Sequence, residues 1–233
     1  MKLGIMQPYF FPYIGYWQLL NYVDTYVVYD DVNFIKGGWI NRNYILSNGD
    51  KLLLILNLKQ ASPNKHINEI DIGKNQKKIL KTLFQSYSKA PYFNSVCPLI
   101  EDIFSTKEQN LALFLLNSIQ KIVEFLKIKT KIVLSSEIDK NNALKGQDKV
   151  LEICSKLGAD TYVNALGGMA LYDSDVFKKN NIDLYFLKPL DFEYQQFSGA
   201  FEKNLSIMDV LMFNSLHQIK LNLHDFKLVK GEK

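Results

Sequence analysis

At 233 residues, with 47 % apolar and 13 % aromatic side chains against 22 % charged ones, the chain has the composition of a folded domain and not of a disordered segment. Its net charge of +4 is spread along the sequence, and the one local excess, Lys74, Lys77, Lys78 and Lys81, has helical spacing that reads as a solvated face. No Arg-rich block, zinc-type Cys/His spacing or RNP-like signature marks a nucleic-acid module, and no apolar run reaches the roughly 18 residues of a membrane span, so a cytoplasmic protein without DNA or membrane insertion is expected.

Residues 2–6 and 26–29 are short apolar runs rich in β-formers, and residues 14–22 between them have helical spacing. This order predicts a strand–helix–strand unit whose right-handed connection brings both strand ends to one edge. Two further runs, 40–46 and 52–58, flank Ser47-Asn48-Gly49-Asp50, in which Asn-Gly supplies the backbone angles of a tight hairpin. From residue 75 to 126 apolar side chains recur every three to four positions, which predicts a helical section inserted at about 74–127 of a single 1–233 domain. Strands at 130–134, 161–164 and 183–187 then alternate with helices at 148–157, closed by Gly158, and at 171–179. Ser206 and Asp209 have capping-box spacing ahead of an apolar helix through Phe213. Such alternation specifies an α/β fold with a mainly parallel sheet.

Candidate chemistry gathers in the first forty-odd residues. Gln7-Pro8-Tyr9-Phe10-Phe11-Pro12-Tyr13-Ile14-Gly15-Tyr16 is a proline-stiffened loop leading from a strand into a helix, where α/β folds bind anions and nucleotides; a rigid aromatic plug over the core is the competing reading. Tyr29-Asp30-Asp31-Val32-Asn33 follows the second strand, and alternation along a strand sends one of Asp30 and Asp31 into the cleft as a base, unless both merely form a turn. Lys36, Trp39, Asn41 and Arg42 around Gly37-Gly38 are parts for holding a nucleotide-linked sugar: a point charge, an indole face, an amide and a bidentate guanidinium. Lys145 and Gln147 at a helix start suit an anion, and Asn164 ends a strand before a glycine turn. His66 is a general base only if the hairpin folds over the cleft. His217, His224 and the two cysteines lack nucleophile context, and no metal set is seen.

Tyr13-Ile14-Gly15-Tyr16 resembles the His-x-Gly-His position of HUP-type nucleotidyltransferases, but with phenols in place of imidazoles; it implies a Rossmann-like sheet more than adenylyl transfer. The segments 6–16, 29–43, 145–149, 162–168 and 205–214 together closely resemble the WbqC-like family over nearly the whole chain. The resemblance implies a role in bacterial O-antigen and related surface-polysaccharide synthesis, with transfer of a glycyl or other acyl group to the amino group of a nucleotide-linked sugar. Under it, Lys36 and Arg42 hold the diphosphate, Trp39 packs on base or sugar, Gln7 and Asn164 fix the acceptor, and Tyr9, Tyr13, Tyr16, Asn33, Asn41, Lys145 and Gln147 bind substrate. No intrinsic cofactor is implied, and the donor is a carrier-protein thioester, a coenzyme A thioester or an aminoacyl-tRNA, with an acyl carrier protein as the possible partner. A HUP-type nucleotidyltransferase or adenylate-forming ligase, and a non-catalytic nucleotide-sugar-binding protein, are the alternatives.

Overall fold

The computed structural model of the chain describes residues 1–197 and 199–231. Its elements are β1 (Lys2–Met6), α1 (Ile14–Tyr22), β2 (Thr25–Val28), β3 (Arg42–Ser47), β4 (Asp50–Ile55), β5 (Leu58–Lys59), β6 (Asp71–Ile72), α2 (Gln76–Tyr87), α3 (Phe93–Ser105) and α4 (Leu111–Leu126). They continue with β7 (Lys131–Leu134), α5 (Gly146–Leu157), β8 (Thr161–Ala165), α6 (Ser174–Lys179), β9 (Asp183–Pro189), α7 (Ile207–Phe213), α8 (Leu216–Asn222) and β10 (Phe226–Lys230).

Six strands form the central sheet in the order β10-β9-β8-β1-β2-β7. All pairs are parallel except β9 with β10. The mixed α/β class with a mostly parallel sheet therefore stands. Apolar side chains cover both faces. Leu3 and Ile5 of β1 pack with Val150, Ile153 and Cys154 of α5 and Phe177 of α6, while the opposite face packs against α1 and α7. After β7 the chain crosses through α5 to the other flank of β1, so the strand order reverses between β1 and β8. A crevice opens at the carboxyl ends of strands where such a reversal occurs.

Between the neighbouring strands β2 and β7, residues 29–130 leave this sheet and build the β3–β4 hairpin, the small β5–β6 ribbon and helices α2 to α4. Asn48 (φ 54°) and Gly49 (φ 87°) both take the positive angles that the hairpin turn needs. Gly158 closes α5 in the left-handed region at φ 70°.

Two local expectations are corrected. The helix predicted over 171–179 is shortened to α6, because a 3-10 turn at Leu166–Leu171 precedes it and the Asp173 side chain caps its start by accepting from Asp175 N and Val176 N. The capping box does not form, since Ser206 makes no side-chain cap bond. Asp209 instead turns inward and accepts from Tyr194 Oη (2.6 Å), Gln196 Nε2 (2.8 Å) and Tyr87 Oη (2.9 Å). Helix α8 and the edge strand β10 were not foreseen. No helix of the described residues is long and apolar enough to cross a membrane.

Candidate functional site

A cleft of about 420 Å³ lies at the carboxyl ends of β1 and β8, where the strand order reverses. Gln7, Tyr9, Tyr13, Tyr29, Asn164 and Tyr172 supply its polar lining, with apolar Ile35 and Leu171 beside them. A second hollow of about 360 Å³ shares Tyr9 and Tyr13 with it and adds Pro12, Trp39, Asn43 and Asn204. Tyr9 and Tyr13 thus stand between two adjoining compartments. The side chains of Gln7, Tyr9, Tyr13 and Tyr29 make no hydrogen bond to the described protein, so their polar groups are available to a ligand.

The loop that carries these tyrosines is held from several sides. Phe10 N donates to Trp39 O (3.0 Å), Trp17 Nε1 to Pro12 O (3.0 Å), and Ile207 N to Pro12 O (3.0 Å). Asn43 Nδ2 donates to both Phe10 O (3.1 Å) and Phe11 O (2.8 Å), tying the loop to β3. These bonds hold Phe11 at φ 47°, a conformation bulky residues rarely adopt and one that costs about 1–3 kcal/mol. Gly15 is required by crowding: a Cβ there would stand 2.6 Å from the Tyr13 ring and 2.7 Å from Pro189. Both early readings of the segment therefore describe part of it. Phe10, Phe11, Tyr16 and Trp17 are buried as a plug, whereas Gln7, Tyr9 and Tyr13 face the compartments. Tyr16 is corrected from ligand contact to core, its hydroxyl donating to Gln7 O at 3.3 Å.

The expectation that Asp30 or Asp31 enters the cleft is also corrected. Neither lines it, and both are buried among partners. Asp30 accepts from Ser136 Oγ (2.6 Å), Ser136 N (3.0 Å) and Asn68 Nδ2 (3.2 Å). Asp31 is paired with Lys140 (2.8 Å) and Lys149 (3.0 Å), both with buried ammonium groups. Burial pushes the Asp31 carboxyl up, but Lys140, Ser135 and Lys149 together outweigh it and hold the group below the usual carboxylate value. The two acids and two lysines balance in charge and pin the loops after β2 to α5.

Other predicted residues are likewise spent on structure. Arg42 Nε donates to Gly38 O (3.1 Å) and its Nη2 to Gly37 O, with the guanidinium 5.9 Å from the Trp39 ring, so it braces the glycine turn. Asn41 Nδ2 donates to Leu56 O, Asn33 Nδ2 to Pro63 O, and Gln147 accepts from Asp173 N. His66 pairs its backbone with Asn33 and lies outside the cleft lining, so the hairpin does not carry it over the site. Lys36 and Lys145 are exposed and line neither compartment. Trp39 does line the second compartment and is 44 % exposed. Cys154 is buried, which pushes its thiol up to about 12 and removes it as a nucleophile at neutral pH.

At the cleft floor Asn164 Nδ2 donates to Tyr162 Oη (2.8 Å) and Tyr172 Oη (3.0 Å), while its Oδ1 accepts from Ala165 N (2.7 Å). Both amide hydrogens of Asn164 are therefore committed, and as a donor it acts on the cleft through Tyr172. Tyr29, Tyr172 and Asn43 escaped the sequence reading. Tyr29 directly follows a predicted strand, a usable signal, but Tyr172 fell inside a predicted helix.

The match to a known family begins at Gln7 within this loop and runs through α8, covering residues 7–221. The chain belongs to the WbqC-like protein family. A WbqC-like chain of this kind is also similar to a curated relative, "Uncharacterized protein Rv1507c" of Mycobacterium tuberculosis (strain ATCC 25618 / H37Rv), at 29 % identity over 219 residues, which cover 91 % of this chain and 93 % of the relative. No solved structure matches the WbqC-like chain.

Proposed function

We propose that the protein is a cytoplasmic transferase of bacterial surface-polysaccharide biosynthesis, joining an acyl or aminoacyl group to the amino group of a nucleotide-linked sugar. The observation that carries this reading is the pair of compartments meeting at Tyr9 and Tyr13. The first offers phenol and amide groups without a formal charge, which suits a hydroxylated ring. The second offers the exposed Trp39 face, which suits a base. The strand order supports a doubly wound, Rossmann-like sheet of HUP type, whose crevice takes nucleotides. Arg42 is occupied by its own turn, so the exposed Lys36, next in sequence to Ile35 of the cleft lining, is the candidate cation for a diphosphate.

In the reaction the neutral amine forms a C–N bond to the acyl carbon, the bond from that carbon to the thioester sulfur breaks, and the amine proton ends on the departing thiol. Coenzyme A and carrier-protein thioesters both satisfy this balance; an aminoacyl-tRNA does so with a hydroxyl as leaving group. Among the described residues that line the cleft there is no carboxylate, imidazole or thiol, which favours binding without turnover as the second reading. Tyr13 and Tyr16 speak against adenylyl transfer, since neither phenol is a cation at neutral pH. The test combines thermal-shift binding of nucleotide-linked amino sugars with mass spectrometry of mixtures containing each donor class. A nucleotide-linked amide product supports transfer. Stabilisation with every donor left intact supports the binding protein, and pyrophosphate release from a nucleoside triphosphate overturns both.

A further inference from the structure

The cleft floor holds one hydrogen more than its internal bonds use. Asn164, Tyr162 and Tyr172 form a closed triangle with edges of 2.8, 3.0 and 3.1 Å. The Asn164 amide cannot be reversed, because its Oδ1 takes the Ala165 N–H at 2.7 Å and a backbone N–H only donates. Both Nδ2 hydrogens are thus given to the two phenols. The remaining edge uses one phenol hydrogen and leaves the other over.

Burial decides which one. Tyr162 has no exposed surface and its ring stacks on Phe177 at 5.4 Å, so a surplus hydrogen there would be an unpaired buried donor. Tyr172 lines the cleft. The lower-energy arrangement has Tyr162 donating to Tyr172 and Tyr172 pointing its own hydrogen into the open space. With two hydrogens already received, the Tyr172 oxygen has no lone pair left and can only donate. Burial keeps both phenols above their usual pKa, so they remain O–H at neutral pH.

We propose that the Tyr172 hydroxyl is a donor-only subsite that holds a carbonyl oxygen, namely that of the transferred acyl group, with Tyr162 and Asn164 as its positioning residues. The acyl assignment rests on the transfer reading above, whereas the donor-only character rests on the hydrogen count alone. Such a subsite accepts a carbonyl and rejects an ammonium, which has only hydrogens to offer. The three-membered relay also aligns the phenol before a ligand arrives.

Two measurements test it separately. With tyrosine labelled by ¹³C at Cζ, in an equal mixture of H₂O and D₂O, a slowly exchanging hydroxyl gives two Cζ lines and a fast one gives a single line. The wild-type protein is expected to show two lines for Tyr162 and one for Tyr172, assigned with Tyr162→Phe and Tyr172→Phe; the reverse pattern, or a slow Tyr172, overturns the donor-only subsite. Calorimetry then compares matched amine and acetamide forms of UDP-linked 2-amino and dTDP-linked 4-amino sugars. Tyr172→Phe is expected to weaken the acetamide forms about tenfold, the worth of one hydrogen bond, and leave the amine forms unchanged. An equal change in both overturns the carbonyl assignment. If the wild type binds none of these probes, the nucleotide-sugar reading and the acyl assignment fail together, while the isotope pattern still decides the donor.

Discussion

Two regions at the same edge of the sheet carry opposite kinds of residue and do opposite work. Behind β2, Asp30 and Asp31 meet Ser136, Asn68, Lys140 and Lys149, and every charge has a partner. Between β1 and β8, Gln7, Tyr9, Tyr13, Tyr29 and Tyr172 carry no formal charge yet keep polar groups unspent. A residue's type does not tell whether it faces a ligand; unspent hydrogen-bonding capacity at an open surface does.

The sharpest way to break this contrast is Asp31→Asn, which strands two buried ammonium groups. It is expected to cost about 3–5 kcal/mol in denaturant unfolding. If stability hardly changed while ligand binding vanished, the roles of the two regions would be reversed. The pH dependence sharpens the same point. Because the folded Asp31 carboxyl is held below its unfolded value, its contribution is complete above roughly pH 4 and is lost as pH falls through the folded value, so Asp31→Asn should flatten the acid limb below about pH 4. Asp209, pushed up by burial, acts with the opposite sign, weakening the fold as pH rises from its ordinary value through the raised one.

Gly15→Ala should follow in size, with a loss of about 1–3 kcal/mol as the Tyr13 ring is displaced, seen as a lower unfolding midpoint together with weaker ligand binding. Asp30→Asn should cost about 1–3 kcal/mol while ligand affinity holds within about twofold, because the carboxylate lies outside the cleft. The smallest stability effect belongs to Trp39→Ala, about 0.5–1 kcal/mol because the ring is partly exposed, yet nucleotide-sugar affinity should fall about tenfold. Unaltered affinity would remove the second compartment from the site.

The contrast also explains what the amino-acid order could and could not reveal. Local signals were sufficient for β1, α1, β2, the Asn48-Gly49 turn and the end of α5 at Gly158, because apolar period and turn chemistry act between near neighbours. Asp30 and Asp31 looked reactive since their partners lie elsewhere: Lys140 and Lys149 are more than a hundred positions downstream of Asp31, whereas Arg42 is taken up by Gly37 and Gly38 of its own turn, which its type alone does not announce. Asn164 was placed at the cleft, but its commitment to Tyr162 and Tyr172 depends on a 3-10 turn that helical spacing concealed. Asn43 gave no local sign that it holds two carbonyls 33 and 32 residues away.

The opening loop is fastened by Asn43 and by the backbone of Ile207 at the start of α7. During synthesis this loop must therefore wait for the much later α7 to be made before its tyrosines can be fixed in place. Capacity to take up a ligand would then report that α7 has been made, and a nascent chain stopped before residue 207 should be unable to compete for the cell's pool of that compound.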